Sequence, residues 1–184
     1  MKQLLQNLWS GLMRPLSRFA RDDRGTATVE FALIFPVYII LLLSAFESGM
    51  LMTRQVMLER GLEIAMREVR IGAMSPVTHD TLKNSICNNA GIIRNCADAL
   101  KIEMRRIDLL NWTNIPAAAD CIDRNDPAAP LVAFQQGGAN QMVIVRACAL
   151  FNPVFPTLGL GKQIPRESGD EYALVSRSAF VREP

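Results

Sequence analysis

Between Ala27 and Phe46 the chain carries one charged residue, Glu30, and it stands five residues after Gly25. A carboxyl group inside a segment of membrane length is costly to desolvate, so its position is read first as functional. Gly25 has no side chain, and its backbone could enter a protease cleft extended and closely packed. A cut between Gly25 and Thr26 would leave a new α-amine on Thr26, close to Glu30. A helix N-terminus also favours a carboxylate in its first turns. Glu30 would then pair with its own amine or with that of a neighbouring subunit. Such a pair offsets part of the desolvation cost and sets an axial register between packed helices. The other reading is a helix-entry glutamate at headgroup level with no partner. On the residues alone both stay open.

The four cysteines, Cys87, Cys96, Cys121 and Cys148, all follow the apolar run. An even count in a segment that is exported suggests two disulfides, and three pairings are possible. Cys87 and Cys96 flank Asn88–Asn95 and are read as one bridge closing a small loop; Cys121 and Cys148 then form the second. Four free buried cysteines are the alternative. No CxxC occurs and His79 is the only histidine, which argues against zinc. His79 stands in a Thr-His-Asp turn and is expected to be exposed or to cap a helix. Asp120, Asp123 and Asp126 lack the order, glycine and terminal glutamate of a calcium loop and read as solvated. No phosphate-binding glycine loop, HExxH or GxSxG is present. No enzymatic activity, metal or cofactor is therefore expected. A net charge of +2 is too weak to argue for nucleic acid.

The elements that position these residues begin with the apolar run. From Phe31 to Phe46 it is uncharged, and about 20 such residues span a bilayer core. A buried soluble helix is the bland alternative, but an all-round apolar run of this length is unusual in a small domain. Pro36 is tolerated in a membrane helix. Before it, Lys2, Arg14, Arg18, Arg21 and Arg24 oppose Asp22 and Asp23, so the flank is positive. The positive-inside rule puts that flank in the cytoplasm. Residues beyond about 48 then lie outside the inner membrane, in the periplasm, where disulfides persist. The Ser44–Gly49 region is a poor secretory cleavage site, which disfavours a cleaved signal peptide. Leu4 to Phe19 shows amphipathic helical spacing, suited to the inner membrane surface or to a helix that is later discarded.

Beyond Glu47 the pattern stays helical to about Ile71, with an apolar stripe of Met52, Val56, Met57, Leu62, Ala65, Met66 and Val69. The stripe is expected to be core, and Gly61 costs about 1 kcal/mol against alanine. Gly72–Pro76 breaks the helix. Residues 78–98 read as one or two short helices. Strands are expected at Lys101–Leu109, Gln141–Leu150 and Glu171–Val181, the second nearly all apolar and therefore central. Residues 111–140 read as a loop excursion, and Phe151–Asp170, rich in proline and glycine, as irregular. Its Phe151, Val154, Phe155, Leu158 and Leu160 are expected to pack on the sheet, with the membrane face or a partner as alternatives. The expected fold class is α+β. A long N-terminal transmembrane helix extends into a small disulfide-bonded periplasmic domain with an antiparallel sheet. The divisions are 1–25 leader, 26–72 transmembrane and extended helix, and 73–184 periplasmic domain.

The stretch Arg24-Gly25-Thr26-Ala27-Thr28-Val29-Glu30-Phe31, the aliphatic run with Pro36, and Glu47-Ser48-Gly49 together resemble the N-terminal segment of TadE-like pseudopilins of the tight-adherence (Tad/Flp) pilus. The resemblance covers roughly residues 24–70. It implies cleavage by a prepilin peptidase after Gly25, with Glu30 at position five of the mature chain. A weaker similarity of style covers Val143–Pro184. Major Flp pilins are much shorter and usually follow the glutamate with tyrosine, whereas here Phe31 follows and over 130 residues come after the run. The resemblance thus implies a minor pilin or pseudopilin that supports assembly or capping, and through it adhesion and biofilm formation. Its implied partners are the inner membrane, the prepilin peptidase, other Tad pilins and the assembly platform. The alternative is an uncleaved bitopic periplasmic binding or scaffold protein without a filament role.

Overall fold

The structure, a computed structural model, describes residues 26–108, 116–123, 134–138 and 140–181. Contacts divide the chain after Leu42. The leader, Gly25, Asp126, Leu109 and Arg182–Pro184 lie outside the described residues.

In the first unit the described residues are all helical, the opening part of α1 (Thr26–Arg70). Pro36 sits inside α1 without ending it. Its side chains are bare: Phe31, Leu33, Val37 and Leu41 are each more than half exposed. Apolar all round but for Glu30, and unburied, is the pattern of a segment whose solvent is lipid. By length and hydropathy α1 can cross a membrane once.

The second unit is an α+β domain that begins inside α1, at Leu43. The remainder of α1, placed in the 26–72 division by sequence, therefore belongs to the domain's compact unit. After α1 come α2 (His79–Ala90), α3 (Cys96–Ala99), β1 (Leu100–Ile107), β2 (Met142–Phe151), α4 (Gly159–Gln163) and β3 (Tyr172–Val181). The strands form one antiparallel sheet in the order β1-β2-β3. β2 is central, as its apolar run predicts. Phe151–Asp170 is not wholly irregular, because α4 forms within it.

One sheet face packs on the helices. Ile102, Met104, Val143, Val145, Ala147 and Tyr172 meet Leu58, Leu62, Met66, Leu82 and Ile86 in a single core. The α1 stripe departs from the expected one. Met52 and Val56 are 69% and 59% exposed, while Leu58, absent from the predicted stripe, is fully buried. The inward row runs Glu47, Leu51, Arg54, Leu58, Leu62, Ala65, Met66 and Val69. Its spacing of mostly three and four is helical, but two members are charged. Gly61 also faces inward. A Cβ there would lie 2.9 Å from the Ile86 carbonyl oxygen and 3.0 Å from the Ala90 Cβ. Glycine thus lets α1 and α2 approach closely, which compensates for its low helix propensity.

The other sheet face is covered by residues 116–123. Cys121 is bonded to Cys148 on β2, and Asp120 accepts from Lys101 Nζ on β1 at 2.9 Å. Beneath them Glu103 and Arg146, paired across the strands, form a buried ion pair. Arg146 Nη1 also donates to the Pro116 carbonyl at 2.6 Å, and Arg105 Nε donates to Glu103. Cys87 is bonded to Cys96, tying α2 to α3.

α2 starts on a capping box. Thr81 N–H donates to Thr78 Oγ1 at 3.2 Å, and Thr78 N–H donates to Thr81 Oγ1 at 2.8 Å. The cap is therefore Thr78, and His79 follows it. Contrary to expectation, the His79 side chain is only 16% exposed. Phe134, bridged to Met104, lays its ring edge-on against the imidazole at 5.9 Å.

Candidate functional site

Two constellations on α1 bear on function. The first is its opening turns. From Thr26, the first described residue, the chain is helical. Glu30 is exposed. Among the described residues it has no hydrogen bond or ion pair. Phe31 and Phe35, one turn apart, stack with ring centroids 4.8 Å apart.

The second constellation lies where the apolar run ends. Glu47 is fully buried. Its carboxyl oxygens accept from Val154 N–H at 3.0 and 2.9 Å and from Phe155 N–H at 2.9 Å. One turn earlier, Ser44 Oγ accepts from Leu160 N–H at 3.1 Å. Gly161 closes the site; a Cβ there would meet the Phe155 carbonyl oxygen at 2.4 Å and Glu47 Oε2 at 3.2 Å. Two turns later Arg54 Nη1 donates to the Asn152 carbonyl at 2.8 Å and to the Tyr172 hydroxyl. The guanidinium also lies over the Phe151 ring, 5.2 Å from its centroid. Burial pushes the Tyr172 hydroxyl above its usual pKa, with the hydrogen bond and charge of Arg54 opposing. α1 thus holds the connection between β2 and β3 by polar clamps at both ends. Sequence reasoning treated Glu47 only as part of a helical turn and Arg54 only as an interspersed charge. Their inward spacing with Leu51 and Leu58 was the available signal.

Against models of known families, residues 25–67 match TadE-like protein. Over this stretch the chain is TadE-like. The match begins at Gly25 and takes in Glu30, Pro36, Glu47 and Arg54, and it stops short of the end of α1. It does not extend to Val143–Pro184. No curated protein and no solved structure matches the chain. The TadE-like segment associates the chain with the Tad pilus and, through α1, with a membrane. The remaining marked residues have structural settings. Asp120 pairs with Lys101, and Ser168 Oγ donates to Asp123 at 3.4 Å. Among the described residues no three candidate ligands gather as a metal site.

Proposed function

We propose that the chain is a minor pilin or pseudopilin of a Tad-type pilus, without enzymatic activity, that supports filament assembly or capping. The observation that carries this reading is the exposed, unpaired Glu30 on a bare apolar helix within a TadE-like segment. A prepilin peptidase cuts between Gly25 and Thr26, and the freed amine of this or a neighbouring subunit pairs with Glu30. Residues 26–42 pack against other Tad pilins. The positive leader supports a cytoplasmic N-terminus, and the two disulfides support a periplasmic domain.

Mass spectrometry of the purified N-terminus, from cells with an active prepilin peptidase, tests the processing step. A chain that starts at Thr26 is expected. An intact Met1 would favour an uncleaved bitopic scaffold and sink the pilin reading. Glu30→Ala probes assembly separately. Membrane insertion should be unchanged while pilus yield falls about tenfold or more, because losing the partner of a desolvated charge costs more than ~1.4 kcal/mol. Wild-type pilus yield would remove the role assigned to Glu30.

A further inference from the structure

The loop between β2 and α4 exposes apolar side chains beside the place where the apolar run ends. Val154 and Leu158 are 38% and 49% exposed, and Phe46 on α1 is 53% exposed. Phe155 meets Phe46 edge-on, with ring centroids 5.9 Å apart. Glu47 and Ser44 hold this loop through its own backbone. They accept the N–H groups of Val154, Phe155 and Leu160. A loop in contact with lipid must satisfy its backbone polar groups internally, because hydrocarbon offers no hydrogen bonds. These side-chain acceptors do that for three donors. Lys162, on α4, is exposed where the chain leaves the loop. A cation beside an apolar patch suits the phosphate level of an anionic leaflet.

We propose that residues 154–160, with Phe46, form a foot that rests in the headgroup and upper acyl region of the bilayer that α1 crosses. Its place follows from continuity, since its anchors, Ser44 and Glu47, bracket the end of the apolar run. Leu158 and Val154 enter the apolar side of that boundary, and Lys162 meets the phosphates. The inference rests on α1 spanning the membrane and not on cleavage or pilus formation.

The test is depth-dependent tryptophan quenching on the full, uncleaved chain. The protein carries Trp9→Phe and Trp112→Phe and sits in phosphatidylethanolamine–phosphatidylglycerol vesicles with bromines at shallow or deep acyl positions. Three variants each add one probe: Leu158→Trp, Phe35→Trp as a span control, and Ile71→Trp as a control at the far end of α1. Ile71 is itself 67% exposed. Shallow bromines should quench Leu158→Trp about threefold more than Ile71→Trp, as an interfacial side chain requires. Deep bromines should quench Phe35→Trp. Leu158→Trp quenched no more than Ile71→Trp, with Phe35→Trp quenched, overturns the foot and leaves the span standing. A Phe35→Trp protein untouched by deep bromines overturns both. A blue shift of Leu158→Trp that grows with protein-to-lipid ratio, without shallow quenching, would assign the patch to a second copy of the chain and overturn the lipid contact.

Discussion

Glu47→Ala should destabilise the folded domain by about 3–5 kcal/mol, because each buried donor left unsatisfied costs roughly 1–3 kcal/mol. Glu47 is fully buried and its carboxyl serves the N–H groups of both Val154 and Phe155. Alanine removes the acceptors and leaves a void against Gly161. The loss should be local first. In the full chain held in detergent, hydrogen exchange at the Val154 and Phe155 amides should speed up about 100-fold or more, ahead of the β2 amides. Glu47→Gln keeps one acceptor oxygen and should recover roughly half of the effect. Unchanged exchange at both amides in Glu47→Ala would show that the contact does not hold the loop.

The second large effect belongs to the other sheet face. Glu103→Ala should cost about 3–5 kcal/mol, since it strands Arg146 as an unpaired charge in the interior. The Arg146 and Glu103 side chains are only 3% and 4% exposed. Arg105 loses its partner as well. Thermal unfolding followed by circular dichroism, with disulfides intact, should fall by about 10 °C or more. The double variant Glu103→Ala with Arg146→Met should regain most of this loss, because an apolar pair needs no partner. A double variant as unstable as Glu103→Ala alone would mean that the cost comes from packing and not from the stranded charge.

Much of the architecture was legible in the chain. β2 is recognisable as central because, Arg146 apart, it is apolar on both faces, as a strand covered on both sides requires. The break after α1 follows from Gly72 and Pro76. The inward face of α1 was harder to read. Hydrophobicity selects Met52 and Val56, yet the buried row passes through Glu47 and Arg54. Polar residues at those positions are inward because the β2–β3 connection offers donors, a carbonyl and a hydroxyl to meet them. Those partners lie some 100 residues away in sequence, so no local pattern announces them. The partial burial of His79 was hidden for the same reason, since Phe134 comes from a distant part of the chain to lie against it.

The way α1 contributes to the core also decides what could ever be shed from this protein. Leu58, Leu62, Ala65 and Met66 are core residues of the sheet domain, and the compact unit starts at Leu43. A protease acting in the helix between residues 43 and 70 would not release an intact sheet domain. It would strip a wall from the fold and leave the sheet's apolar face open to water. A soluble form must keep the chain from about Leu43 onward, although the apolar run ends only at Phe46.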